Sequence, residues 1–346
     1  MKKSEAGYRV ALVGATGAVG REIIRVLEER EFPVSELHLL ASKRSAGQEL
    51  TWRGGIVPVR ALSEGIPEVD IALFSAGGEL SRRAAPQFVE KGAVVIDNSS
   101  AWRMEPDVPL IVPEVNPEEI TKALSKAGRG IIANPNCSTI QLVVALKPLA
   151  DAFGLERVIV STYQSVSGAG QKGVTELSEQ VTALFNSRDL AVRAMPHQIA
   201  FNCIPAIGSF LENGYTEEEW KLVQESRKIM GMPELRVSPT AVRVPVFSSH
   251  SESVYVELGR KVSVKEAKAA FHNAEGILIQ DRPAEDFYPM PSVAVGTDDV
   301  CVGRIRQDPD DDCALNFWVV ADNLRKGAAL NAVQIAETLD EHWEES

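Results

Sequence analysis

The chain has 346 residues, enough for about two domains, and its 45% apolar and 24% charged residues are ordinary values for a globular protein. This composition excludes disordered, collagenous and fibrous proteins. The formal net charge of −12 at pH 7 disfavours nucleic acid and anionic membrane surfaces as partners, since both repel an acidic chain.

The first part of the chain alternates strand patterns with helical patterns. The predicted elements are strands at 8–13, 37–41, 71–75 and 93–97 and helices at 19–29 and 80–91. The near-continuous apolar runs are typical of strands buried on both faces, and their alternation with helices indicates βαβ units. Residues 1–134 are therefore predicted to form a doubly wound, Rossmann-type dinucleotide-binding domain of the α/β class.

A glycine-rich loop lies between the first predicted strand and the first predicted helix. Gly14, Gly17 and Gly20 allow a tight turn and a close approach of the backbone to a pyrophosphate, whose charge a helix N-terminus stabilises. The spacing GxxGxxG differs from the commoner GxGxxG, and the alternative is a turn that only lets a helix cross a sheet. The position of the loop favours dinucleotide binding. The predicted cofactor contacts of this loop are Gly14, Thr16, Gly17, Ala18 and Val19.

The end of the second predicted strand distinguishes NAD from NADP. An NAD-binding protein usually places Asp or Glu there to bond the ribose hydroxyls. This chain instead has Ser42-Lys43-Arg44-Ser45, whose cations and hydroxyls suit a 2′-phosphate. We therefore predict NADP(H) as the cofactor, with Ser42, Arg44 and Ser45 among its contacts. The alternative is that the two cations are ordinary exposed loop charges.

Cys137 is the candidate nucleophile. It follows Asn134-Pro135-Asn136 and precedes an apolar helical pattern, so it should lie at a helix N-terminus, where partial positive charge favours a thiolate. Cys203, in an apolar segment, is predicted to be an inert core residue. A nucleophile of this kind needs a base. His250 is the first candidate, because it lies in a polar turn before a strand, and His197 is the second.

The spacing of the cysteines and the length of the apolar stretches indicate the cellular compartment of the protein. The four cysteines have neither the spacing of a disulfide framework nor that of a metal site. No apolar stretch approaches the roughly 18 residues of a membrane span. A reducing compartment is the simplest explanation, so we predict a cytoplasmic protein with no membrane contact and no bound metal.

The pattern changes after about residue 135. The predicted elements are strands at 158–165, 242–246, 253–258 and 315–320 and helices at 173–186, 216–230, 264–274 and 323–342. Period-two alternation in several strands indicates a mixed or antiparallel sheet with helices on one face. Residues 135–322 are thus predicted to form a second, α+β domain, and residues 323–346 a C-terminal helix that packs back on the first domain.

Ordered motifs along the chain resemble those of the aspartate-semialdehyde dehydrogenase family. The matching segments are 14–20, 97–103, 112–116, 134–139, 164–170, 243–246 with 250–251, and 322–324 with 326–329. The Cys137 motif and the Arg243/His250 pair are the most specific of these. The resemblance implies NADPH-dependent conversion of L-4-aspartyl phosphate to L-aspartate 4-semialdehyde and phosphate through a cysteine acyl-thioester. This step serves lysine, diaminopimelate, threonine, methionine and isoleucine biosynthesis.

The resemblance also implies roles for individual residues. The implied roles are nucleophile for Cys137, acid/base for His250, acyl positioning for Gln164, carboxylate binding for Arg243, ammonium binding for Glu218 and phosphate binding for Arg103 and Lys221. The backbone N–H groups at the helix start, with the Asn136 side chain, are expected to stabilise the oxyanion that thiolate attack creates. Ser167, Gly168 and Asn323 are predicted to contact the nicotinamide, and the alternative is that Gly168 and Gly170 only permit a turn. Glu217, Glu218 and Glu219 are adjacent, so the sequence leaves open which of them contacts the substrate.

The family further implies a small-molecule substrate and a homodimer or homotetramer assembled through the second domain, which would then be both catalytic and dimerising. Two alternatives are an enzyme like N-acetyl-γ-glutamyl-phosphate reductase, which takes a longer substrate, and a catalytically silent homologue that binds nucleotide. Asn136 before Cys137 and the Arg243/Glu218 pair favour the free amino acid over the longer substrate. The silent homologue is disfavoured because the implied catalytic residues are all present.

Overall fold

The computed structural model describes residues 7–124 and 130–345, and the chain divides into two compact units. One unit runs to Asn136 and takes in the chain again from Ala328, and the other is Cys137–Gly327. In the described part of the chain, no helix combines the length and the apolar character that crossing a membrane requires. The same residues contain no group of His, Cys, Asp or Glu side chains arranged to hold a metal ion.

The first unit is built on a seven-stranded sheet in the order β3-β4-β2-β1-β5-β6-β7. Its strands are β1 (Tyr8–Val13), β2 (Val34–Ala41), β3 (Glu49–Trp52), β4 (Gly55–Ala61), β5 (Ile71–Phe74), β6 (Val94–Asp97) and β7 (Ile131–Ala133). Its helices are α1 (Ala18–Glu29), α2 (Gly78–Glu90), α3 (Ile120–Leu124) and, from the end of the chain, α9 (Leu330–Glu345). All neighbouring strands are parallel except the β3–β4 pair. The predicted parallel sheet is confirmed.

Helices cover both faces of this sheet, which explains the continuous apolar runs. Ile71 and Leu73 of β5 belong to a core cluster that contains residues of α1 and α9. Phe74, the next residue along, points to the opposite face and meets Phe88 of α2 at a ring-centroid distance of 5.3 Å. These four side chains are fully buried. A strand buried in this way cannot alternate apolar and polar residues.

The C-terminal helix begins later than predicted. The sequence predicts a helix over 323–342, but α9 starts at Leu330 after a π-helical turn, Arg325–Ala329. The Asp322 carboxylate accepts hydrogen bonds from the backbone N–H groups of Leu324 and Arg325, at 2.9 and 3.3 Å, so it holds this segment in a turn. Within the first unit, α9 is anchored to β1 by a hydrogen bond of 2.7 Å from the Tyr8 hydroxyl to Asp340.

The second unit is built on a six-stranded mixed sheet in the order β11-β12-β13-β10-β8-β9. Its strands are β8 (Leu155–Gln164), β9 (Arg236–Arg243), β10 (His250–Leu258), β11 (Ile277–Ile279), β12 (Val300–Gln307) and β13 (Ala314–Ala321). Its helices are α4 (Cys137–Phe153), α5 (Gln171–Phe185), α6 (Glu217–Ile229), α7 (Val264–His272) and α8 (Pro291–Ala294). The β8–β9 and β11–β12 pairs are parallel and the other pairs antiparallel, as a mixed sheet requires.

Burial along β10 alternates with a period of two, which places every second side chain on the covered face of the sheet. His250, Glu252, Val254 and Val256 are buried on that face, and helix α4 packs against the strand. Such alternation follows from the pleat of a strand. It fixes His250 at the start of β10 with its ring on the same side as the α4 helix.

Other local features also differ from the prediction. The β3–β4 hairpin was missed; its turn at Arg53 and Gly54 has positive φ at both residues, +47° and +74°. The strand predicted over 242–246 is in fact β9, which ends at Arg243, and Pro245 has no N–H with which to continue a ladder. Cys203, predicted as a core residue, is exposed.

Candidate active site

Cys137 is the first residue of α4, a helix that is buried along most of its length. A helix N-terminus carries partial positive charge, and the Arg243 guanidinium lies close enough to interact electrostatically with the thiolate. Burial lowers the pKa of Arg243, and the charges of Cys137 and Glu218 oppose that change. The residue at 327 must be small, because a Cβ on Gly327 would lie 2.9 Å from the Cys137 Cβ. The half-buried sulfur therefore sits beside two sources of positive potential.

His250 is wholly buried and neutral. Its Nδ1 lies 3.1 Å from the backbone nitrogen of Ser165, and because an N–H group only donates, Nδ1 accepts and the ring proton lies on Nε2. Burial, with help from the Arg243 charge, lowers the pKa of His250 to about 3. Nε2 has no hydrogen-bond partner among the described residues. The ring thus presents a neutral N–H donor.

The turn Val166–Ala169 lies directly against these groups. A Cβ on Gly168 would stand 2.9 Å from Arg243 Nη1 and 3.2 Å from His250 Nε2. Any side chain at position 168 would press on the guanidinium and the imidazole, so the close approach requires glycine. The structure therefore places Gly168 beside the candidate acid/base and carboxylate-binding residues.

Asn323 holds this turn in place. Its Oδ1 accepts hydrogen bonds from Ser165 Oγ at 3.2 Å, Ser167 Oγ at 3.0 Å and the backbone nitrogen of Ser249 at 2.9 Å. Asn323 and Ser167 are buried. Their side chains thus orient the segments around His250, and a contact of either with nicotinamide stays a prediction.

A cation and an anion lie near the end of β8, where Gln164 is located. Arg243, at the end of β9, pairs in register with Gln164 at the end of β8, and its Nη1 donates to the Ser165 carbonyl at 2.7 Å. Gln164 Nε2 donates to Glu218 Oε1 at 3.2 Å, and Lys221 Nζ donates to Glu218 Oε2 at 3.2 Å. Arg243, Gln164 and Glu218 are buried. A guanidinium and a carboxylate placed in this way suit a ligand that carries both a carboxylate and an ammonium group.

The three adjacent glutamates have different surroundings. Glu219 forms a capping box with Thr216 at the start of α6, and Glu217 is exposed. Glu218 is the one whose carboxylate reaches Gln164. The signature Thr-x-x-Glu at 216–219 was already visible in the sequence and would have assigned Glu219 to the cap.

Two further predicted residues lie in the first unit. Arg103 is buried, and its guanidinium donates to the carbonyls of Asn134, at 3.0 Å, and Asn98, at 2.8 Å. These bonds fix the direction of the side chain. Asn136 is buried and directly precedes Cys137 in the chain. His197, the second candidate base, lies exposed in the segment after α5.

The glycine loop has the geometry of a pyrophosphate site. Gly14 has a φ of +88°, and a Cβ there would lie 2.2 Å from the Ser75 carbonyl oxygen. A Cβ on Gly20 would lie 2.3 Å from the Gly14 carbonyl oxygen. Helix α1 begins after Gly17, which offers no side-chain cap to its first N–H groups. An uncapped helix start beside a tight glycine turn is the arrangement that binds phosphate groups.

A cavity of about 1100 Å³ opens at this loop within the first unit. Its lining includes the predicted cofactor residues Gly14, Thr16, Gly17, Ser42, Arg44 and Ser45, and also Lys43. Ala18 and Val19 form the first turn of α1 and are not among the lining residues. Lys43 and Arg44 are exposed, and neither forms an ion pair within the described residues. The cavity thus offers a phosphate-binding turn at one place and uncompensated cations at another.

Comparisons with known proteins agree with this geometry. Residues 9–123 match the family model of the semialdehyde dehydrogenase NAD binding domain, and residues 146–326 match that of the semialdehyde dehydrogenase dimerisation domain. The aspartate-semialdehyde dehydrogenase of Aquifex aeolicus is 55% identical over 336 residues, which cover 96% of this chain and 98% of that protein. The chain belongs to the aspartate-semialdehyde dehydrogenase family.

Further relatives support the assignment. The Bacillus subtilis aspartate-semialdehyde dehydrogenase is 51% identical over 342 residues, 96% of this chain and 97% of that protein. A crystal structure of aspartate semialdehyde dehydrogenase II from Vibrio cholerae superposes with a TM-score of 0.94 at 50% identity, covering 96% of this chain and 98% of that one. The predicted family, fold class and enzyme class are confirmed: this family comprises NADP-dependent, phosphorylating oxidoreductases of amino-acid biosynthesis.

Sequence reasoning missed the residues that hold His250, the candidate acid/base, in place. Ser165, through its backbone N–H, sets the His250 tautomer, and Ser249 bonds Asn323. Ser165 falls inside the motif at 164–170, but nothing in that motif predicts a contact with a residue 85 positions away. Gln141, which follows Cys137 by one helical turn and bonds the His250 carbonyl, could have been noticed from helical spacing.

Proposed function

We propose that the protein catalyses the NADPH-dependent reductive dephosphorylation of L-4-aspartyl phosphate to L-aspartate 4-semialdehyde and phosphate. The observation that carries the proposal is the convergence, in one unit, of a cysteine at a helix start, a neutral buried histidine, and Arg243 and Glu218 close enough to interact electrostatically. A Vibrio cholerae relative of 49% identity has been crystallised in complex with ASA. A Candida albicans relative of 27% identity has been crystallised with NADP.

The first chemical step uses Cys137. Its thiolate attacks the acyl carbon, a C–S bond forms, and the bond from that carbon to the phosphate oxygen breaks. Backbone N–H groups at the start of α4, together with Asn136, are assigned to the oxyanion that develops. From the family resemblance, Arg103 and Lys221 are assigned to the departing phosphate. The product of this step is an acyl-thioester on Cys137.

The second step uses His250. When bound, NADPH supplies the hydride that reduces the thioester. His250 Nε2–H donates a hydrogen bond to the oxyanion of the resulting thiohemiacetal, a role that suits a neutral ring with the proton on Nε2. As the C–S bond breaks, the oxyanion becomes the aldehyde carbonyl and the Cys137 thiolate is left beside Arg243.

Substrate recognition is assigned to Arg243, Glu218 and Gln164. Arg243 takes the α-carboxylate, a task for which its planar fork is suited, and Glu218 takes the ammonium group. Gln164 positions the acyl group between them. A longer, N-acylated substrate has no ammonium group to place against the buried Glu218 carboxylate, so the free amino acid is favoured.

Arg243→Lys is expected to lower kcat/KM for the semialdehyde by about 100-fold, mainly by raising KM, since a lysine cannot hold a carboxylate with two parallel bonds. Steady-state kinetics measure this. The matched control is Arg236→Lys, an exposed arginine at the other end of β9, which should behave as wild type. If both variants retain wild-type KM, Arg243 does not bind the carboxylate.

The double variant Lys43→Ala/Arg44→Ala is expected to raise KM for NADPH by about 10-fold or more and to leave KM for NADH unchanged, since only the former carries a 2′-phosphate. The wild-type ratio of NADP to NAD efficiency should exceed one. Arg60→Ala removes an exposed cation of the same unit outside the cavity lining and serves as the control. A wild-type ratio below one would overturn the assignment of these cations.

We assign the roles of the domains on the same basis. Residues 1–134 bind NADP, residues 135–322 provide catalysis and dimerisation, and the C-terminal helix assigned to 323–346 packs back on the NADP-binding domain, which takes up the chain again at Ala328. The match to a dimerisation-domain model supports an oligomer. A homodimer or homotetramer in the cytoplasm is the finer proposal, which analytical ultracentrifugation and cell fractionation test.

The reverse reaction tests the proposed function. Purified protein is mixed with L-aspartate 4-semialdehyde, phosphate and NADP or NAD, and reduced nicotinamide is followed by absorbance. Reduction of NADP that depends on phosphate is the expected result. Folded protein that binds NADPH but gives no signal with either cofactor would refute the assigned substrate and favour the longer acyl phosphate or a silent homologue.

A further inference from the structure

A second buried carboxyl lies two residues beyond His250 on the same face of β10. Glu252 has no exposed surface, and neither of its carboxyl oxygens has a hydrogen-bond partner within the described residues. In the sheet it stands opposite Thr162 of β8 and Val319 of β13. The catalytic steps proposed above do not use it. A buried, unsatisfied carboxyl is costly to a fold, so its presence needs an explanation.

Gln141 connects this region to both catalytic groups. It is wholly buried on α4, four residues after Cys137 and therefore on the same face of the helix. Its Nε2 donates to the backbone carbonyl of His250 at 3.4 Å, which ties α4 to the start of β10. Its Oε1 has no hydrogen-bond partner within the described residues. The amide is thus anchored at its nitrogen end and leaves an acceptor unsatisfied.

The Gln141 oxygen can be satisfied by Glu252 only if Glu252 is protonated. The His250 carbonyl can only accept, so the Gln141 nitrogen faces it and the Gln141 oxygen is left without a donor. Burial raises the pKa of Glu252 well above its usual range, and the N–H groups of the neighbouring Gln141 amide, which favour the carboxylate, offset that rise only in part. A neutral carboxyl has an O–H to donate, whereas a carboxylate has none.

We propose that Glu252, as a neutral carboxylic acid, donates a hydrogen bond to Gln141 Oε1 and so positions His250 against the helix that bears Cys137. Glu252 is a positioning residue and touches no reacting atom. The proposal rests on the proposed function, because it takes His250 as the acid/base and Cys137 as the nucleophile. It assigns a catalytic consequence to a side chain that would otherwise be only a buried carboxyl.

The test compares Glu252→Met with Glu252→Gln. Glu252→Met fills the same space without a donor and is expected to lower kcat by about 10-fold or more, with KM and NADPH affinity unchanged, since the loss of such supporting bonds misplaces a catalytic group. Its thermal midpoint should be equal to or higher than that of wild type, because a buried polar group has been removed. Glu252→Gln keeps a donor and should retain kcat to within about twofold.

A control and a second variant separate positioning from stability. Val254→Ala creates a cavity on the same face of β10, so it should lower the thermal midpoint while leaving kcat unchanged. Gln141→Met should lower kcat as Glu252→Met does, and the double variant should lose no more than either single one, since both break the same connection. If Glu252→Met fails to fold, Gln141→Met alone decides.

The outcomes are distinct. Wild-type kcat in a folded Glu252→Met, or in Gln141→Met, would overturn the proposal, as would a Glu252→Gln variant that loses as much kcat as Glu252→Met. Failure of the proposed function is recognised separately, because wild-type protein would then show no phosphate-dependent reduction of NADP. In that case Cys137 and His250 would lose their assigned roles whatever the Glu252 variants do.

Discussion

Cys137→Ser is expected to lower kcat by about 1000-fold or more while NADPH binding stays unchanged. Both positive influences at this position, the start of α4 and the Arg243 guanidinium, favour a thiolate. They cannot ionise a serine hydroxyl near neutral pH, so no comparable nucleophile forms. Turnover is measured by nicotinamide absorbance, and cofactor binding by the quenching of protein fluorescence on titration with NADPH.

The other cysteines provide matched controls for this prediction. Cys203→Ser alters an exposed thiol and should leave turnover unchanged. Cys301 is buried in β12, and burial raises the pKa of its thiol to about 11, so it stays protonated near neutral pH and cannot replace Cys137. Turnover by Cys137→Ser above about a tenth of the wild-type rate would remove Cys137 from the nucleophilic role.

His250→Asn is expected to lower kcat by about 100-fold to 10,000-fold with a much smaller change in KM. The asparagine oxygen can still accept the Ser165 N–H bond that Nδ1 now accepts, so the start of β10 keeps its anchor. What the variant loses is the Nε2–H donor. Steady-state kinetics in both directions of the reaction measure the effect, and a variant with near-wild-type kcat would show that another group stabilises the oxyanion.

His250→Asn is also expected to reduce the loss of folding stability at acid pH. The pKa of His250 falls from its usual 6.5 to about 3 on folding, chiefly through burial, so the unfolded chain binds a proton there that the folded chain rejects. Wild-type stability should therefore fall as pH drops below about 6.5, by up to about 1.4 kcal/mol per pH unit from this group. His250→Asn removes that contribution. Urea unfolding at about pH 7 and about pH 5 should show a smaller difference for the variant.

The parts of this protein that depend on local pattern could be predicted from the sequence. The apolar runs at 8–13 and 71–75 predicted a sheet covered on both faces, because a strand that is buried on both faces has apolar side chains at almost every position. The Asn-Pro-Asn-Cys segment followed by apolar helical spacing placed Cys137 at a helix start, which the structure shows. Both features depend on residues within about 20 positions of each other along the chain.

The parts that depend on contacts between strands of the sheet could not be predicted from the sequence. Gln164 and Arg243 come together because β8 and β9 are neighbouring parallel strands. No local pattern around either residue predicts that these two strands pair. The His250 tautomer depends on the Ser165 backbone, and the neutrality of His250 depends on how deeply β10 is buried. The C-terminal helix was predicted too early because apolar spacing does not reveal that the Asp322 carboxylate holds the following residues in a turn.

The central claim is that catalysis passes through an acyl-thioester on Cys137, and trapping that species tests it most directly. The protein is mixed with L-4-aspartyl phosphate in the absence of NADPH, quenched in acid, digested and analysed by mass spectrometry. We predict a mass increase of one aspartyl group on the peptide that contains Cys137, which disappears when NADPH is added before the quench. An unmodified Cys137 peptide from protein that turns over normally, or an aspartyl group on another residue, would contradict the account.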